Sequence, residues 1–195
     1  VLVIDFIHQK IKDLADRYGK RRELQRILEL SAKIRPQVDL GDLGESEFWV
    51  RILQEVGVRA SERDCQCEPY FRAIDGVQAI AQDLRAKGFR IAILSNDSRE
   101  LALLRRERFG FDNIFDDIII SSEHGMIKPD ENIFQLALDR SAVTANECVF
   151  IDDREENILA ARSLGFHEIL FEGAGQLEVE LEKVLKSRRG GNSQK

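Results

Sequence analysis

The chain has 195 residues, 43% of them hydrophobic and 33% charged, with a formal net charge of -6. That balance describes a globular chain long enough for one sizeable core plus an insertion, and it argues against a nucleic-acid surface, since no basic stripe has aromatics interleaved. No apolar run reaches membrane-spanning length and no signal peptide is visible, so no membrane role is expected. Three cysteines cannot all pair, which predicts a reducing, cytoplasmic setting. Cys65-Gln66-Cys67 is spaced too closely for a usual zinc site and has no second ligand pair, so both are read as surface or cap thiols. Cys148 is read as a small core residue.

In chain order, Val1-Leu2-Val3-Ile4 is a minimal strand followed by Asp5. Ile7, Ile11, Leu14 and Ala15 mark one helical face, and Leu24, Ile27, Leu28 and Leu30 a second. Pro36 is expected to break that helix. Ser46 reads as the N-cap of a third helix carrying Phe48, Trp49, Ile52, Leu53 and Val56, stopped by Gly57. Trp49 there is read as packing. Residues 6–70 thus read as all-helical.

After Pro69 the pattern changes. A helix over Val77 to Leu84 leads to a strand over Arg90 to Leu94, with Ser95-Asn96 at its end. A helix follows over Leu101 to Arg108, where Arg105-Arg106 is read as a solvated face. Asp117 to Ile120 is a strand, and Lys128-Pro129-Asp130 precedes a helix from Ile133 to Leu138. Val149-Phe150-Ile151 is β-branched and aromatic, the pattern of a strand buried on both faces, and it ends in Asp152-Asp153. A helix through Leu164, a strand over Glu168 to Phe171 and a last helix through Val184 complete the alternation. The fold class is α/β: a doubly wound parallel sheet with a helical insertion. No phosphate-cradling glycine loop is present, which argues against a Walker-type or dinucleotide site.

Three polar clusters fall where the carboxyl edge of such a sheet lies: Ser95-Asn96, Lys128-Pro129 and Asp152-Asp153. Two adjacent carboxylates repel and so suit a divalent cation, although a helix cap in a first acidic turn has the same composition. A hydroxyl with backbone amides, an ammonium and a carboxylate-held cation together neutralise a phosphoryl group. Of the histidines, only His124, in the loop before Lys128, is placed to reach these clusters.

In this order the clusters resemble the haloacid dehalogenase superfamily. Its second motif resembles Ile91-Ala92-Ile93-Leu94-Ser95-Asn96, its third Glu123-His124-Gly125-Met126-Ile127-Lys128-Pro129-Asp130, and its fourth Phe150-Ile151-Asp152-Asp153, with Asn157, Ala161 and Gly165 following. The stretch Leu40 to Val58 is similar to the helical cap of one branch. A response-regulator receiver has its acid pair first and its lysine last, the reverse of this chain. The resemblance implies an α/β core over 1–5 and 71–187 and a cap over 6–70, while the polar composition of residues 188–195 reads as a disordered tail. It implies a Mg²⁺-dependent phosphatase of a small phosphorylated metabolite, acting through an aspartyl-phosphate. Ser95, Asn96 and Lys128 would bind the phosphoryl group, Ser95 and Lys128 would serve catalysis, and Asp152 and Asp153 would hold the metal.

The first motif of that family, Asp-x-Asp after a strand, has no match near the start of the sequence: Asp5 ends an apolar run, but Ile7 takes the second acid's place. Two readings stay open, Asp5 as nucleophile or a nucleophile strand preceding Val1. The alternatives in function are a catalytically silent binding protein of the same fold, or a carbon–halogen hydrolase. Oligomeric state is not legible.

Overall fold

A computed structural model describes the backbone of residues 6–191, with side chains described through residue 186. The strand expected over Val1 to Ile4, and Asp5, lie outside the described residues. The chain divides into two compact units, residues 6–73 with Ala92–Ile127, and Ile74–Ile91 with residues 128–191.

The first unit begins with helices α1 (Ile7–Arg17), α2 (Leu24–Leu40), α3 (Glu45–Gln54) and the short α4 (Glu62–Cys65). Helical spacing sets one face of each inward. The core they share includes Ile11, Leu14, Ile27, Val38, Ile52 and Phe71. Phe48 and Trp49 are 0% exposed and meet edge to face, 4.9 Å apart, so Trp49 packs as the sequence predicts. Two expectations are corrected here. Pro36 lies inside α2, which continues to Leu40; proline removes one donor and one turn's bond, and the helix carries on to Val38, itself fully buried. The third helix is capped at Gly44 rather than Ser46, two residues early. α2 ends at Gly41, whose φ of 86° is left-handed, and an added Cβ there would lie 2.5 Å from the Ser122 carbonyl oxygen.

The same unit holds β1 (Ala92–Ser95), α6 (Arg99–Phe109) and β2 (Asp117–Ile120). β1 and β2 are parallel, with Ser95 opposite Ile120. Ser98 starts α6 by accepting a hydrogen bond from the Leu101 amide at 3.2 Å, and left-handed Gly110 ends it.

The second unit contains α5 (Val77–Ala86), α7 (Glu131–Ser141), β3 (Val149–Asp152), α8 (Glu155–Ser163), β4 (His167–Leu170) and α9 (Ala174–Gly191). β3 and β4 are parallel, with Asp152 opposite Leu170. Ile169, Leu177 and Leu181 form the core beside them, with Ile80, Leu84 and Ile151 packed on it. Phe134 meets Phe150 and Phe166 edge-on at 5.1 and 6.0 Å. The helix α9 runs past Ser187 to Gly191, and residues 192–195 lie outside the described ones.

Strands alternate with helices and pair in parallel, the doubly wound α/β arrangement read from the sequence. The expectation that Val149 to Ile151 is buried on both faces is corrected: these residues are only half-buried. Among the described residues β3 pairs on one side alone, and so does β1. None of the described helices is long and apolar enough to cross a membrane.

Candidate active site

In the second unit the apolar run of β3 carries the chain to Asp152 and then into α8. Asp152 is 5% exposed, and both of its oxygens are used. Oδ2 accepts from Lys128 Nζ at 2.6 Å, while Oδ1 accepts from Asn157 Nδ2 at 2.9 Å and from the Arg154 amide at 3.0 Å. Lys128 is delivered by the turn before α7, where Asp130 caps the helix by accepting from the Asn132 amide at 2.8 Å. The Lys128–Pro129 peptide is cis. The ammonium lies 5.5 Å from the centre of the Phe150 ring. Burial pushes the Asp152 carboxyl upward, but Lys128, Asn157 and the Arg154 amide outweigh it and hold it below 3.8. Asp152 is therefore an ionised carboxylate at neutral pH. Asp153, one residue on, is exposed.

The acid pair is thus two different groups. Asp152 anchors Lys128, whereas Asp153 presents a carboxylate to solvent. A carboxylate offers roughly four lone-pair sites, and Asp152 uses three of them on its own chain. Mg²⁺ takes one or two carboxylates together with water and phosphate oxygens, and seldom needs an all-protein cage. The pair's donor chemistry fits that requirement, with Asp153 as the open ligand. Among the described residues no group of three or more His, Cys, Asp or Glu side chains gathers as a cation site.

In the first unit Ser95 ends β1 and Asn96 follows it, both half-buried. The turn beyond them is tied down by a charged cluster. Asp97 is buried; its carboxylate accepts from Arg105 and lies 3.7 Å from Arg35 Nη2. Its backbone amide donates to Ser121 Oγ at 3.0 Å, and that hydroxyl donates to the Asp39 carbonyl at 2.5 Å. Arg35 in turn donates to Asp39 at 2.8 Å and to Glu45 at 2.9 Å, and Glu45 accepts from the Trp49 indole at 2.9 Å. Burial drives the Asp97 carboxyl up to about 6; Arg105 and Arg35 oppose that, and Glu45 and Asp39 add to it.

Arg105 was expected on a solvated helix face; its side chain is only 16% exposed and is paired with Asp97. Its neighbour Arg106 pairs with Asp112 at 2.7 Å. His124 follows a single 3-10 turn, and its Nε2 is buried without a hydrogen-bond partner. The cluster of Arg35, Glu45 and Asp97 escaped sequence reading. The one signal available was a charge at helical spacing from buried positions, as with Glu45 and Trp49. Cys67 is buried in the helical core, and none of the three cysteines forms a disulfide.

Residues 11–165 match the family model for a haloacid dehalogenase-like hydrolase. The chain belongs to the haloacid dehalogenase-like hydrolases. Over 111 residues it is 38% identical to acyl-CoA dehydrogenase family member 10 of Mus musculus, covering 55% of this chain and 10% of that protein. Over 106 residues it is 33% identical to glyceraldehyde 3-phosphate phosphatase of Methanothermobacter thermautotrophicus, covering 54% of this chain and 46% of that one. The chain therefore spans less than half the length of either relative. A haloacid dehalogenase family enzyme of Bacteroides thetaiotaomicron, solved with magnesium and inorganic phosphate, superposes with a TM-score of 0.73 at 20% identity. That superposition covers 89% of this chain and 90% of the other, and at such identity it is a likeness of fold.

Proposed function

We propose that this haloacid dehalogenase-like chain is a Mg²⁺-dependent phosphatase acting on a small phosphorylated metabolite. The observation that carries the reading is the buried Lys128–Asp152 ion pair beside the exposed carboxylate of Asp153. It supplies a fixed ammonium for a phosphoryl oxygen and an open ligand for a cation. The phosphatase among its relatives and the magnesium and phosphate held by its structural neighbour support the same reading. Three cysteines outside any disulfide suit a reducing compartment such as the cytoplasm.

In this reading Ser95 and Asn96 donate hydrogen bonds to the phosphoryl oxygens. Lys128 offsets their charge, and Asp152 orients Lys128. Asp153 and Asp152 would hold Mg²⁺, which would supply charge neutralisation at the phosphate. A nucleophilic aspartate, either Asp5 or one on a strand preceding Val1, attacks phosphorus as the ester P–O bond breaks. Water then hydrolyses the aspartyl-phosphate. Residues 6–70 act as a cap that excludes bulk water from the site.

The test is turnover of p-nitrophenyl phosphate with Mg²⁺ and with EDTA, alongside Lys128→Ala, Asp153→Asn and Asp5→Asn. Mg²⁺-dependent turnover reduced at least about 100-fold by Lys128→Ala supports the reading. A folded chain that turns over no phosphate ester from a panel is instead a silent member of the family. Metal-independent release of halide from a haloacid would make it a carbon–halogen hydrolase.

A further inference from the structure

The charged cluster behind the turn after β1 is more than a salt bridge. It places three carboxylates, Asp39, Glu45 and Asp97, with two guanidiniums, those of Arg35 and Arg105, in the interior of one unit. Lys10 from α1 also acts on Glu45, so three carboxylates share three cations in a dry interior. Burial disfavours an ionised carboxylate even among cations, and the one that is most desolvated is the first to take a proton. Asp97 is that group. It is the most buried of the cluster's partners of Arg35 and Arg105, and it faces two other carboxylates. It also stands two residues beyond Ser95, and its own amide is pinned to Ser121 Oγ at 3.0 Å. The Ser98 amide donates to its Oδ1 at 3.0 Å. The carboxylate thus organises the backbone of the turn into which Ser95 and Asn96 lead.

We propose that Asp97 is a positioning residue for the anion-binding turn Ser95–Asn96, fixing the turn to α2, α3 and α6 through Arg35 and Arg105 and tuning its attraction for phosphate by its own charge. The proposal rests on the phosphatase reading of that turn. Ionised Asp97 keeps its own negative charge close behind the turn and opposes a phosphate dianion. Protonated Asp97 removes that charge while keeping the pinned amide. Phosphate binding therefore weakens as the pH rises through about 6. The charged groups facing Asp97 are Arg35 and Asp39 from α2, Glu45 from α3 and Arg105 from α6.

The experiment follows KM and kcat for p-nitrophenyl phosphate from about pH 5 to about pH 8, in the wild type and in Asp97→Asn. A phosphate ester itself titrates near the lower part of this range, so the quantity read is the ratio of wild-type to variant KM. That ratio is expected to rise about three- to tenfold across the range, with kcat much less affected. Backbone amide resonances of Ser95 and Asn96, followed in the free protein, provide a readout without catalysis. They are expected to titrate in the wild type and to be flat in Asp97→Asn. In Arg105→Met, which removes one of the groups that favour the ionised form, the same titration is expected to move to higher pH. A constant KM ratio, or amides that do not titrate, overturns the proposal even if the enzyme is active. Titrating amides in a protein that turns over no ester would instead remove the phosphatase reading and leave the positioning of the turn intact.

Discussion

Lys128 and Asp152 approach from the turn before one helix and the end of one strand, and their Nζ and Oδ2 atoms are 2.6 Å apart with side chains 9% and 7% exposed. A pair so nearly dry has given up most of its hydration, and its two halves are stable only together. Asp152 is doubly secured, since Asn157 and the Arg154 amide hold its other oxygen. Lys128→Met is expected to cost about 3 kcal/mol, because it strands a buried carboxylate. Adding Asp152→Asn should recover part of that loss, giving a double variant much less destabilised than the sum. Urea denaturation of the four proteins measures the coupling, and additive losses would show that the pair contributes nothing as a pair.

Asp64 predicts an acid-side stability loss in the first unit. It accepts from the Ser61 hydroxyl at 2.6 Å and amide at 2.8 Å, from Tyr18 at 2.7 Å and from Arg17 at 2.6 Å. Burial works upward on its carboxyl, but these donors hold it at about 2. A depressed carboxyl contributes stability above its ordinary value of 3.8 and loses it as the pH falls towards 2. Thermal melts at decreasing pH should fall in that window, and Asp64→Asn should flatten the fall by on the order of 1–2 kcal/mol. An unchanged slope in the variant would assign the acid lability elsewhere.

Gly41 and Gly57 separate backbone strain from collision. Both have left-handed φ, at 86° and 70°, but only at Gly41 would a Cβ meet the Ser122 carbonyl, at 2.5 Å; at Gly57 nothing lies within 4 Å. Gly57→Ala should therefore cost about 1 kcal/mol, the left-handed penalty alone. Gly41→Ala should cost at least about 2 kcal/mol more, because backbone must move. Equal losses in chemical denaturation would mean that α2 and the Ser122 turn yield freely.

Lys10 is a charge placed where an apolar residue would sit. It is 1% exposed, with Nζ 2.9 Å from the Gln66 carbonyl, 3.1 Å from Cys67 Sγ and 3.8 Å from the centre of the Trp49 ring. Burial lowers its pKa despite the opposing pull of Cys67 and Glu45. Replacing such a group with an apolar one of similar length is often neutral or stabilising. Lys10→Met is expected to change stability by between about zero and a gain of 1 kcal/mol at neutral pH. A loss above about 2 kcal/mol would mean that the Gln66 and Trp49 contacts outweigh the desolvation.

Elements whose signal is local were legible in the sequence. Apolar periodicity gave β2 at Asp117–Ile120 and the buried face of α1, and the order of Ser95, Lys128 and Asp152 gave the family. What escaped depends on residues far apart in the chain. Nothing near Arg35 announces Asp97, and nothing near Lys10 announces Cys67, because each partner is chosen by packing after the helices have formed. Arg105 looked like a solvated charge for the same reason: a helix bearing three arginines in four positions carries no local mark of the one that turns inward. Pro36 misled in the opposite direction, since a strong local breaker was overruled by a buried helix face.

The contrast between Asp152 and Asp153 bears on how this sequence can drift. Position 152 is answerable at once to a lysine, an asparagine and a backbone amide, so most replacements there disturb the architecture before they alter any chemistry. Position 153, exposed, is answerable to none of these. Descendants of this chain could exchange the residue at 153 and change the charge offered to a ligand while keeping the scaffold intact. Neighbours in sequence, the two acids answer to separate physical constraints, one to its buried partners and the other to solvent.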